Sequence, residues 1–141
     1  MGLFRTIARL LLGAFLVVAG TGHLTFARSQ FQAQVPPWLP LDADLVVLAS
    51  GGVEIALGLA LVLARRWRGR VGWVVAAFFV AVFPGNLAQW VEGRDAFGLD
   101  SDAARATRLL FQPVLVAWAL WSTGAWRDWR SGRRFRPTMD A

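Results

Sequence analysis

The chain reads as an all-α, four-helix transmembrane bundle, and three observations carry that reading. Hydrophobic residues make up 56% of its 141 residues, a high share for a soluble domain. They gather into four runs close to the ~20 residues a helix needs to cross a bilayer. The fifteen basic residues, every one of them Arg, lie in blocks between those runs rather than along a polar face. A net charge of +6 arranged in this way points to lipid headgroups, not to nucleic acid.

The first run covers residues 5–24, around "LLLGAFLVVAG". The second covers 45–64, the third 71–90 and the fourth 104–126, so that residues 1–126 form one transmembrane domain. Residues 127–141 form an Arg-rich tail. No segment alternates as a barrel strand would. The opening residues resemble a secretory signal peptide, with Arg, an apolar run and then "TFA", and the expectation is that they stay as the first span. "MGLFRT" also fits a myristoylation pattern, a coincidence in a chain whose Ala-rich, all-Arg composition is bacterial in character.

Orientation follows the arginines. Arg5 and Arg9, the four of "RRWRGR", and the five after Trp126 put eleven of fifteen on one side. The predicted bundle is therefore up-down-up-down with both termini cytoplasmic, as a multi-pass protein of a bacterial inner membrane. Trp67, Trp73, Trp126 and Trp129 mark the inner interface, and Trp38 and Trp90 the outer one. Residues 27–42 contain "VPPWLP", read either as a stiff interfacial cap or as an ordered connector.

Composition also excludes chemistry. There is no Cys and a single His, so one copy cannot build a disulfide, a bis-histidine haem or a zinc site of the usual kind. No haem, flavin or metal motif is present.

Ionisable groups at membrane depth cost roughly 2.5–3.5 kcal/mol on insertion scales, so each requires an account. Glu54 falls in the middle of the second span, roughly 14 Å from its outer end. His23 closes the outer end of the first span, Asn86 nears that of the third, and Arg108 and Gln112 share one face of the fourth. These five converge on the outer half, while the inner half contributes almost nothing polar. Ser50, Gly51 and Gly58 lie on the Glu54 face of the helix, which lets a neighbour approach closely and turns the carboxylate inward. There it must bind a proton or pair with Arg108 or His23.

Structural explanations stand beside each of these. His23 can be a wetted helix end, Arg108 a snorkelling anchor, and "FPGN" and Gln112–Pro113 repaired proline kinks. A Glu54–Arg108 ion pair explains two of the five residues and leaves the others unused.

Five stretches in order, "GTGHLTF", "VPPWLP", "SGGVEIALGLALVL", "VFPGN" and "RLLFQP", resemble the DoxX-like family of small four-span membrane proteins over about residues 13–121. The resemblance implies a four-helix membrane bundle. The name-giving relative is a subunit of an archaeal thiosulfate:quinone oxidoreductase. Other members accompany redox enzymes or thiol-stress systems, and distant animal relatives assist receptor assembly. The family's polar motif positions fall on His23, Glu54, Pro84, Asn86, Arg108 and Gln112. The lack of Cys departs from relatives in disulfide chemistry.

Residues and resemblance together lead to a small-molecule pocket in the outer half. There a quinone-like compound is held by His23, Asn86, Arg108 and Gln112, and Glu54 exchanges a proton. Phe15, Phe79, Phe83 and Phe111 are expected to wall it. Electrons would come from a redox partner protein. Homo-oligomerisation and contact of the tail with anionic lipid belong to the same reading. Two other readings stay open: a non-catalytic assembly factor or accessory subunit whose polar cluster is structural, and a proton-coupled transporter carrying its proton on Glu54.

Overall fold

The structure, a computed structural model, describes residues 2–25, 38, 40–91 and 102–132, with the side chains of residues 43, 85, 86, 88–90, 102, 104, 105 and 108 left outside it. Every regular element in the described part is helical: α1 (Leu3–Leu24), α2 (Ala43–Leu63), a 3₁₀ turn (Arg65–Trp67), α3 (Arg68–Val91), α4 (Asp102–Ser122) and α5 (Ala125–Arg130). Among the described residues three segments are long and apolar enough to cross a membrane: Leu3–Leu24, Asp44–Leu63 and Arg65–Pro84. The fourth predicted span is shorter in this respect, its apolar stretch running over Leu109–Ser122. It also ends earlier than expected. Gly124 takes the left-handed conformation, φ 75°, that glycine adopts without strain. Its N–H returns to Trp121 O at 3.2 Å, and the chain turns into α5 instead of running helical to Trp126.

Helices α1 and α2 make the most intimate pair. Gly13 of α1 faces Gly58 of α2, and Gly20 faces Gly51, so the two helices run antiparallel. A Cβ added at Gly20 would lie 2.6 Å from the Gly51 carbonyl oxygen, and one at Gly58 would lie 2.6 Å from that of Gly13. Backbone meets backbone at both points. The glycines recur seven residues apart on each helix, the repeat that keeps one face in contact along a left-handed pair. α2 begins on Asp42, whose side chain accepts from the N–H groups of Asp44 and Leu45 at 2.8 and 3.2 Å, the usual service of an N-cap.

Helices α3 and α4 form the second antiparallel pair, closest where Gly72 lies against Thr123, whose hydroxyl a Cβ at residue 72 would overlap. The two pairs are then tied together. Trp118 donates its indole N–H to Ala8 O at 2.9 Å. Leu12, Leu16, Leu61, Val75, Phe79 and Ala119 form the buried core between the pairs. Arg9, 3% exposed, donates from Nη1 to Leu61 O, one of the carbonyls at the end of α2 that no helical N–H can serve. Outward faces are apolar too: Val18, Val80 and Leu110 are 62%, 60% and 73% exposed. A helix that is apolar all round is the kind that lipid solvates.

Two outcomes check this packing by thermal unfolding in detergent. Gly20→Ala and Gly51→Ala should each destabilise by about 1–3 kcal/mol through overpacking. Gly52→Ala, where an added Cβ meets nothing within 4 Å, should be neutral or stabilising; equal losses at all three would refute the contact. Arg9→Met should cost about 1–3 kcal/mol by stranding the Leu61 carbonyl, and an unchanged melting temperature would remove Arg9 from the list of interhelical ties.

Candidate functional site

The α1–α2 pair carries the one buried carboxylate among the described residues. Glu54 is 8% exposed and lies on the α2 face that meets α1. Two glycines put it there. A Cβ at Gly20 would come within 3.0 Å of the Glu54 Cβ, and a Cβ at Gly51 within 2.6 Å of the His23 Cβ. Without side chains at residues 20 and 51, His23 lies across α2 and Glu54 against α1. Their meeting is a product of the helix packing.

His23 Nδ1 is 2.8 Å from Glu54 Oε2, with both side chains close to nine-tenths buried. The same nitrogen is 2.9 Å from Ala19 O, one turn back on α1. Two acceptors thus crowd one ring nitrogen, which carries at most one proton. When Nδ1–H points to Ala19 O, no donor among the described residues is aligned on the buried Oε2. A neutral imidazole in that tautomer offers Nε2 as an acceptor, and the imidazolium offers it as a donor. A carboxylate acceptor beside a group of switchable polarity can take a hydroxyl, hold a proton or pass one on.

Of the other sequence candidates, Gln112 is 6% exposed and donates from Nε2 to Phe79 O at 2.6 Å. Phe79 O is the neighbour of the Val80 carbonyl that Pro84, lacking an N–H, leaves without its helical donor. Gln112 therefore joins α4 to α3 at the proline. Asn86 and Arg108 lie on α3 and α4, and their side chains fall outside the described residues. The expected aromatic walls divide: Phe79 is 3% exposed, whereas Phe15 and Phe111 turn outward at 49% and 58%. Of the residues expected to mark the inner interface, Trp126 and Trp129 stack at 5.1 Å between centroids, and Trp73 meets Trp129 edge-on at 6.4 Å. Among the described residues no three His, Asp or Glu side chains gather as metal ligands would.

Sequence reasoning missed Arg9. It counted this residue only towards orientation, although it is buried and bonded to α2. The signal available was its position one turn inside the first span rather than before it.

The described residues thus combine three helices of membrane-crossing length with a buried carboxylate–imidazole contact. The family model described as a domain of unknown function (DUF8561) matches residues 12–123, which hold all four long helices in whole or large part, and the chain belongs to that family. No curated protein and no solved structure matches it.

A cycle of substitutions measures what the contact contributes to folding. His23→Leu alone should destabilise by about 3–5 kcal/mol, since it leaves a buried carboxylate unpaired. His23→Leu combined with Glu54→Leu should recover most of that loss in the same unfolding assay. Additive losses would show that the two side chains do not interact.

Proposed function

We propose that this chain is a multi-pass protein of a bacterial inner membrane that binds a small quinone-like molecule beside His23 and Glu54 and serves a redox partner as a subunit. The observation that carries this reading is the buried Glu54 Oε2, which shares with Ala19 O one ring nitrogen of His23 that carries at most one proton, and on which no other donor among the described residues is aligned. Burial makes an unanswered carboxylate oxygen costly, and a ligand hydroxyl answers it. A reduced quinone carries such a hydroxyl on an otherwise apolar ring, and a lipid-facing protein meets quinones dissolved in the bilayer around it.

Membrane insertion is supported by the three long apolar helices and their outward apolar faces. Four spans with both ends cytoplasmic follow from the arginine blocks, α4 crossing with the shortest apolar stretch. Asn86 and Arg108 join the site on the strength of the sequence alone. Similarity of the quoted motifs to DoxX-like proteins favours the redox association, with electrons exchanged by the partner protein.

A second reading has its own support. Gln112 donates to a neighbouring helix, which is what a polar residue does when its work is to fix helix register. In that reading the protein is an accessory or assembly subunit and the polar groups are internal ties.

Quinone retention separates the two. Purified protein reconstituted with a short-chain ubiquinol should carry bound quinol recoverable by solvent extraction. Glu54→Gln, of nearly the same shape, should stay folded and lose affinity by about tenfold or more, the value of a hydrogen bond to a charged group. Equal retention by wild type and Glu54→Gln would overturn the ligand reading and leave the accessory role.

A further inference from the structure

At the opposite, Arg-rich end, the start of α1, the end of α4 and α5 enclose a groove of about 310 Å³. Its floor and walls are apolar, from Leu120, Trp121 and Trp126, and two guanidinium groups, Arg5 and Arg127, border it. The Arg5 guanidinium sits 5.6 Å from the Trp121 ring centroid, a cation–π contact that holds it over the groove. Arg127 folds back across the turn. Its Nη2 lies 3.5 Å from where a Cβ would stand at Gly124. Among the described residues the nearest carboxylate contact to either group is Asp128 Oδ1, at a loose 3.9 Å from Arg127 Nε.

We infer that this groove is a binding site for a single anionic phospholipid. Two cations at the rim of an apolar slot match a molecule that is itself an anion joined to hydrocarbon. The headgroup phosphate takes the hydrogen bonds of Arg5 and Arg127, planar forks suited to phosphate oxygens. The first part of an acyl chain lies along Leu120 and Trp121. An inorganic phosphate would satisfy the arginines and leave the apolar walls unused, so the lipid is the better fit. The level is right as well: Trp126, which lines the groove, packs at a tilt against Trp129, as aromatic residues gather at headgroup depth. This inference rests on the membrane reading and is independent of any ligand at Glu54.

Native mass spectrometry of the full-length protein, released from detergent after exchange into mixed phosphatidylglycerol and phosphatidylcholine, tests it. The expected result is one retained phosphatidylglycerol, in preference to phosphatidylcholine. Arg5→Gln and Arg127→Gln should each weaken that adduct by about fivefold or more. Arg66→Gln, an exposed arginine of the 3₁₀ turn outside the groove, should leave it unchanged and reports whether net charge alone matters. Trp121→Leu should also weaken it, because it removes both a wall and the seat of Arg5. Equal binding of the two lipids, an equal loss in Arg66→Gln, or full displacement of the adduct by millimolar inorganic phosphate would overturn the assignment. Quinol retention at Glu54 is read in the same spectra by its different mass, so either site can fail without the other.

Discussion

The fold depends most on the backbone-to-backbone contact of α1 with α2 at Gly13/Gly58 and Gly20/Gly51. On the membrane reading proposed above, there is no hydrophobic force to drive one apolar helix against another, because the hydrocarbon outside is as apolar as the helix face. Close packing supplies what is missing. Where glycine removes the side chains, many weak dispersion contacts form along the seam at once. Gly20 and Gly51 have a second result. By letting the helices approach, they bring an imidazole and a carboxylate from different helices to 2.8 Å. The seam thus makes both the pair of helices and the pair of side chains.

Elsewhere the bundle is held by a different device. Three buried or half-buried side chains reach from one helix to a main-chain oxygen of another: Arg9 to Leu61, Gln112 to Phe79 and Trp118 to Ala8. A helical carbonyl has a second lone pair beyond the one its own N–H occupies, and at a proline or a C-terminus the first is vacant too. Such acceptors are available on any helix and require no complementary side chain on the partner. Between them these bonds link α1 to α2, α3 to α4 and α1 to α4, which closes three sides of the four-helix arrangement.

Much of this was legible in the residues. The helices start and end within about three residues of the expected limits, except at α4. Gly51 and Gly58 announced that a neighbouring helix comes close to α2, without saying that it is α1. The exception at α4 was readable in principle, since "STG" offers a glycine where a left-handed residue ends a helix; Trp126 masked it by extending the apolar run. Glu54 stood out because a lone carboxylate in an oily segment demands a partner. That His23 reaches Glu54 depends on Gly51 opening a space for the imidazole, a fact about shape between helices that linear spacing does not hold. The bonds of Arg9 and Gln112 to neighbouring helices were not legible, for one shared reason. Their acceptors are main-chain oxygens, and every residue has one, so no sequence pattern distinguishes the oxygen that is used.

On the proposed membrane reading, the seven-residue repeat of the α1–α2 glycines has a consequence for how the pair answers a bilayer. Sliding one helix along the other by a single residue would drive a side chain into a carbonyl at both crossing points, so the pair behaves as a ruler with two notches. When bilayer thickness changes, separate helices can adjust their tilts independently; these two must lean as a single plank. The height of Glu54 relative to His23 is then set inside the protein and is the same in a thick membrane as in a thin one.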